Sequence, residues 1–267
     1  MPGGQPTVYG RQVPGLKEVA GEPGSRWVPS GSPDLRILVT CEHAGNRVPE
    51  RWAPLFQGRD DLLASHRGWD PGALPVARHL ARLTRAPLRY STTTRLLVDA
   101  NRSPAHESLF SELTRELPER ERREIVARHH RPYWTRVRSL LAGWLAEGAL
   151  ALHLGVHTFT PTLDGVARKV DIGVLFDPGR PGESAFSRIF MEELERALPH
   201  LRVRKNAPYY GTSDGLTTSL RRTFDDPAYL GIELEVSQGL ATGPEPERSR
   251  VSREIGEALV CTLRRWP

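Results

Sequence analysis

Five stretches of this chain hold the residue types that metal and acid–base chemistry use. His43 directly follows the apolar run LRILVTC, and His153 and His157 stand four apart in LALHLGVHTFTP. A histidine just behind an apolar segment can aim its imidazole at a metal, while Ala44 and Gly45 leave room for a ligand or backbone to approach. A loop histidine bonded to nearby backbone is the plainer alternative at each place. The stretch SHRGWDPGA adds His66 and Asp70. Asp70 precedes Pro71 and Gly72, so it can cap a following helix or supply an oxygen to zinc. Two histidines, one carboxylate and a fourth position for water make an open, catalytic zinc site. No HExxH occurs, which excludes the zinc-protease helix.

TRLLVDANR brings Arg95, Asp99, Asn101 and Arg102 close together. Arginine offers a planar donor fork for a carboxylate, and a structural pair between Asp99 and a neighbouring arginine is the competing use. In YLGIELEVS, Glu233 and Glu235 alternate with Ile232, Leu234 and Val236, so both glutamates share one strand face. A carboxylate on a buried strand is costly unless it has a partner or a task.

Positioning such groups needs a scaffold, and periodicity supplies one. Strands are expected over residues 35–41, around 88–91, over 94–102, from about 150, and over 169–176, 201–206 and 229–237. Helices are expected over 74–83, 117–147 with a break near Arg131–Pro132, 183–198, near 214–224, and over 247–265. Strands alternating with helices imply an α/β fold with a mostly parallel or mixed sheet covered by helices on both faces. His43, Asn101, Arg102, His157 and Glu235 then gather at strand ends, where such sheets bind ligands. Residues 1–34, rich in Gly, Pro and Ser, read as a loosely ordered arm before a single α/β domain over 35–267.

The 267 residues are 38% hydrophobic and carry a formal net charge of +5. Only three lysines occur against 34 arginines, most of them interleaved with Asp and Glu, so the charge reads as an ion-paired surface and no nucleic-acid partner is expected. No apolar run is long enough to span a membrane, and MPGGQPTVYG lacks the pattern of a signal peptide. Cys41 and Cys261 form no CxxC, which fits a cytoplasmic setting without a disulfide framework.

Taken together, CEHAGNRVP, HRGWDPGA, TRLLVDANR, HTFTP and IELEVSQ resemble, in order, the motifs of the N-formylglutamate amidohydrolase family, over about residues 36–260. The resemblance implies a phosphorylase/hydrolase-like fold similar to zinc carboxypeptidases, and zinc-dependent hydrolysis of the amide of an N-acyl amino acid such as N-formylglutamate. Carried over, it makes His43, Asp70 and His157 the zinc ligands, with His66 and Glu42 as substitutes for Asp70. Glu235 becomes the catalytic carboxylate, Arg95 the group polarising the scissile carbonyl, and Asn101 and Arg102, with Arg168, the holders of the substrate carboxylate. VSQGLATG after Glu235 lacks the Arg and Asp that many relatives place there, so side-chain recognition is open. Tyr209 and Tyr210 are candidate substrate contacts. Another acyl amino acid, a peptide or a cell-wall fragment remains an alternative substrate, and a non-catalytic module for small carboxylates an alternative role.

Overall fold

The computed structural model describes residues 34–266, together with two-residue strands at Thr7–Val8, Arg11–Gln12 and Arg26–Trp27. Apart from these strands and Asp34, the arm expected over residues 1–34 lies outside the described residues. Six strands form the body of the sheet: β1 (Leu35–Cys41), β2 (Leu88–Tyr90), β3 (Leu150–Phe159), β4 (Ile172–Leu175), β5 (Val203–Lys205) and β6 (Tyr229–Ser237). Their spatial order is β5-β4-β6-β3-β1-β2, and Arg26–Trp27 pairs antiparallel to the start of β1. β2, β1, β3 and β6 run parallel, while β4 and β5 run parallel to each other and opposite to β6. The sheet is therefore mixed, with its parallel part at the centre, where near-continuous apolar strands are buried on both faces.

Helices α1 (Ala73–Thr84), α3 (Arg131–Ala146), α4 (Pro181–Ala197), α5 (Leu216–Arg221) and α6 (Glu247–Arg265) cover it, and α2 (Glu119–Ile125) precedes α3. On one face Val76, Ala77 and Leu80 of α1, Phe186 and Phe190 of α4, and Ile255 and Leu259 of α6 pack against Ile37, Val39, Leu154 and Ile232. Burying each large side chain fully is worth about 1.5–3 kcal/mol over leaving it in water. The opposite face packs Leu38, Ala151 and Tyr229 under α3 and α5. Strand alternation follows from this division: Leu152, Leu154 and Val156 face the first layer, which turns Ala151, His153, Gly155 and His157 toward the second.

Two expectations need correction. Residues 94–102 form turns, not a strand. Leu96, Leu97 and Val98 are all buried with Trp52, Phe56, Leu109 and Ile125 in a separate cluster, and Leu97 N–H donates to the Thr94 carbonyl. That cluster takes apolar side chains from every side of the turn, so no sheet partner is required. The break near Pro132 is a change of pitch: α2 passes through a π-helical turn at Val126–His130 directly into α3. Pro132 directly follows this wider turn, in which Arg131 N–H reaches back five residues to the Val126 carbonyl.

Candidate active site

The register of the sheet assembles the site. Glu235 of β6 pairs with His157 of β3 on one side and Gly173 of β4 on the other, and Glu233 pairs with Gly155, so both glutamates stand on the face that carries His157. Gly173 must be glycine, because a Cβ there would lie 1.9 Å from the Ala207 carbonyl oxygen and 3.2 Å from the Glu235 Cβ. His43 leaves the end of β1, and its carbonyl accepts from Asp70 N–H at 3.0 Å. Asp70 does not cap α1: Gly72 is the N-cap residue, at φ 86°, which frees the Asp70 carboxylate for the site. The loop carrying it is pinned from behind, where Thr94 Oγ1 and Arg95 N–H both donate to the Gly68 carbonyl.

Asp70 Oδ2 stands 3.3 Å from His43 Nδ1 and 3.0 Å from His157 Nδ1. All three residues are buried, and one ligand atom from each lies within 4.8 Å of the others. The far nitrogens of both rings end on further carboxylates: His43 Nε2 meets Asp99 Oδ1 at 2.6 Å, and His157 Nε2 meets Glu42 Oε2 at 3.1 Å. With Nε2–H donated outward, each Nδ1 keeps its lone pair for a cation, and the outer carboxylate fixes ring and tautomer as in carboxylate–histidine–zinc groups. Tetrahedral donors about 2.0–2.1 Å from a zinc ion stand about 3.3 Å apart, close to the two separations seen here. The donor set therefore fits a zinc-sized cation.

Electrostatics follow from the same contacts. Burial disfavours charge on Glu42, yet hydrogen bonds from His157 and Tyr133 bring its pKa down to about 2. Tyr133 Oη donates to Glu42 Oε1 at 2.7 Å. Asp70 is likewise held below the usual carboxylate range: burial opposes ionisation, and the charges and hydrogen bonds of His43 and His157 overcome it. Asp99 is well below that range because Arg95 and His43 outweigh its burial. Burial also works against charge on His157, but Asp70 and Glu42 hold its proton well above the usual histidine range, so a cation entering the group has to displace that proton.

A cavity of about 210 Å³ opens beside this centre. Glu235 lines it, is 5% exposed, and its Oε2 has no hydrogen-bond partner. Burial pushes Glu235 up to about 8, with His157 opposing and the carboxylate of Asp70 adding to the rise. Arg102 also lines the cavity; its Nη1 donates to the Asp214 and Asn101 carbonyls, and its buried Nε has no partner. The loop behind Arg102 is fixed by His130 Nε2 on the Arg102 carbonyl and Trp134 Nε1 on the Ala100 carbonyl, each at 2.8 Å.

Of the residues singled out from sequence, His43, Asp70, Arg95, Asn101, Arg102, His157 and Glu235 share this one cavity. Arg95 reaches Asp99 at 2.9 Å and Asp70 at 3.4 Å, so its guanidinium braces two carboxylates of the centre. Asn101 accepts from Leu216 N–H at 2.9 Å, while its Nδ2 stands 3.5 Å from His157 Nε2. Arg168 is outside the cavity lining, over the rings of Phe159 and Tyr209. Of the substitutes for Asp70, His66 sits exposed at the rim and Glu42 lies behind His157. His153, on the same strand face as His157, is buried between Thr40 and Tyr229 hydroxyls and does not reach the cavity. Sequence reasoning missed the support of His43 by Asp99 and the relay from Tyr133 through Glu42 to His157. Glu42, adjacent to His43, was the one sequence signal for the latter; RPYW carries none for Tyr133.

Fold and site together define an α/β protein with a buried His–Asp–His group that could hold a metal ion at the carboxyl ends of its parallel strands. The chain belongs to the N-formylglutamate amidohydrolase family, which it matches over residues 35–241. The crystal structure of gene product Atu2144 from Agrobacterium tumefaciens is 31% identical, with a TM-score of 0.74 over 85% of this chain and 90% of that one. The N-formylglutamate amidohydrolase from Ralstonia eutropha JMP134 shares the fold at 18% identity, with a TM-score of 0.62 over 85% of this chain and 91% of its own. No curated protein matches the sequence significantly.

Proposed function

We propose that this protein is a zinc-dependent amidohydrolase that cleaves the amide of an N-acyl amino acid, above all an N-formyl amino acid of the N-formylglutamate type, releasing formate and the free amino acid. The observation that carries the reading is Glu235: a buried carboxyl oxygen without a partner, in the same cavity as a His–Asp–His donor set. His43, Asp70 and His157 would hold the metal, which when bound polarises the acyl carbonyl and brings the pKa of water toward about 7.

Glu235 is the proton carrier. Its free Oε2 takes a proton from the attacking water and returns it to the amine nitrogen as the C–N bond breaks. A pKa near 8, raised by burial, suits a group that must both accept and donate close to neutral pH, and a cation beside it favours the ionised form needed at the start. Arg102 turns its unpartnered Nε–H to the substrate carboxylate, and Asn101 sets the edge of that pocket through its bond to Leu216. Arg95 keeps Asp70 and Asp99 ionised and oriented, and its edge on the cavity supports charge on the scissile carbonyl oxygen. Arg168 stiffens the rim by stacking on Phe159 and Tyr209.

Glu235→Gln is the direct test. Turnover of N-formyl amino acids should fall by about 10²–10⁴-fold, the usual contribution of a positioned acid–base group, while zinc content stays at the wild-type level. Unchanged turnover refutes the role of Glu235. Purified protein that carries no metal under non-chelating conditions, and releases no amine from any N-acyl amino acid, refutes the enzymatic reading.

A further inference from the structure

We propose that a second cavity, between α3 and α5, binds a carboxylate with an apolar or aromatic body and, when filled, tightens the hold of the Asn101–Arg102 loop on substrate. The site lies outside the catalytic cavity, and only its effect on turnover rests on the amidohydrolase reading.

This second cavity measures about 340 Å³ against about 210 Å³ beside Glu235, and the two share no lining residue. Its floor is apolar, built from Val126, Trp134 and Leu220. Arg131 and Arg138 stand seven apart on α3, on one face of the helix, and bring their guanidinium groups to the rim. Both are exposed, and among the described residues neither pairs with a carboxylate, whereas Arg123 and Arg128 just before them are tied to Glu119 and Glu124. No Asp or Glu is among the described residues that line the cavity, and its other titratable group is His130. Two open donor forks above an apolar floor between helices fit an organic anion: the forks take its carboxylate, and its ring or chain covers Trp134 and Leu220. Val126 and His130 are the two ends of the π-helical turn, a distortion that recurs at functional sites.

Both walls of the cavity end on the loop that holds substrate. On the α3 side, His130 lines the cavity and its Nε2 donates to the Arg102 carbonyl at 2.8 Å. Trp134 stacks on His130 with 4.9 Å between ring centroids and donates from Nε1 to the Ala100 carbonyl at 2.8 Å. On the other side, Ser219 and Leu220 of α5 line the cavity, and Leu216 N–H at the start of that helix donates to Asn101 Oδ1 at 2.9 Å. Asn101 and Arg102 in turn line the catalytic cavity. An occupant touching both helices keeps its contacts only while α3 and α5 hold the spacing that fixes Asn101 and Arg102. It therefore favours the substrate-ready loop, and substrate favours the occupant by the same factor.

Titration calorimetry on the full-length protein with 3-phenylpropionate, its uncharged amide and inorganic phosphate tests the site. The carboxylate should bind at least about tenfold more tightly than either of the others. Arg131→Gln combined with Arg138→Gln should weaken it by about tenfold or more, and Arg102→Gln should leave it unchanged. No heat at millimolar carboxylate, an amide or phosphate that binds as tightly, or a loss confined to Arg102→Gln overturns the site. Turnover of N-formylglutamate by zinc-loaded protein tests the coupling. Saturating 3-phenylpropionate should lower KM by about fivefold with kcat unchanged, and the double variant, whose basal kinetics match wild type, should lose that response. An unchanged KM, or one that climbs in proportion to the carboxylate as competition in the catalytic cavity would make it, overturns the coupling. Should wild-type protein hydrolyse no N-acyl amino acid, the amidohydrolase reading falls, and calorimetry still judges the second cavity on its own.

Discussion

Replacing Glu42 with glutamine probes the support of the candidate metal site without touching a proposed ligand. Glu42 is 1% exposed and accepts from Tyr133 Oη at 2.7 Å, with His157 Nε2 at 3.1 Å. Glutamine keeps the volume but removes the charge, and its NH₂ end cannot accept from His157 when its oxygen stays with Tyr133. The descent of the Glu42 pKa from 4.5 to about 2 measures how far the folded site prefers the anion. At about 1.4 kcal/mol per unit, that preference is worth about 3 kcal/mol. Because the folded pKa is depressed, this stability is present above the unfolded value of 4.5 and is lost as pH falls through the folded value near 2. Glu42→Gln should therefore lower the stability of metal-free protein by up to about 3 kcal/mol at pH 7, and the deficit should shrink below pH 4.5. With the His157 tautomer no longer held, zinc affinity should drop by about 10–100-fold, the usual cost of losing a carboxylate behind a ligating histidine. Urea unfolding across pH and competition for zinc against a chelator give the two numbers. A variant that binds zinc as tightly as wild type would refute the carboxylate–histidine support.

Other perturbations test separate links. Glu235→Gln should stabilise metal-free protein: its raised pKa means the ionised wild-type group costs stability increasingly as pH rises from 4.5 to about 8, up to about 3 kcal/mol at pH 7. Equal unfolding free energies for variant and wild type at pH 5 and pH 8 would contradict the burial argument. Gly173→Ala should cost about 1–3 kcal/mol by overpacking against the Ala207 carbonyl, and should impair turnover by shifting Glu235; full activity in a normally stable variant would show that the strand pair tolerates displacement. Glu183→Leu should cost about 3–5 kcal/mol in urea unfolding, because Glu183 is fully buried between Arg180 and Arg221 and also accepts from the backbone of Asp177 and Gly231. A loss below about 1 kcal/mol would mean those arginines find other partners.

Much of the scaffold was legible because its signals are local. The apolar runs of β1, β3 and β6, and the helical stripes of α1, α4 and α6, bury what their periods imply. Residues 94–102 misled because the apolar Leu96, Leu97 and Val98 are equally compatible with a strand and with a turn buried in its own cluster. Which outcome occurs depends on Trp52, Phe56, Leu109 and Ile125, which lie elsewhere in the chain. The same limit applied to Asp70: its position before Pro71-Gly72 suited a helix cap, yet Gly72 takes that place and the carboxylate turns to His43 and His157.

The sequence by itself determined the fold class, the strand ends that carry His43, His157 and Glu235, and the ordered motifs that mark the family. Tertiary structure decided what each carboxylate does. Glu42, Asp70, Asp99, Glu233 and Glu235 are chemically alike, and their roles differ only through partners distant in sequence: Tyr133 for Glu42, two histidines for Asp70, Arg95 and His43 for Asp99, Thr217 for Glu233, and no partner for Glu235 Oε2. Periodicity reports which face a residue occupies. Whether a buried charge meets a donor, a like charge or an empty cavity is set by sheet register and loop packing across the whole chain, and those contacts decide its chemistry.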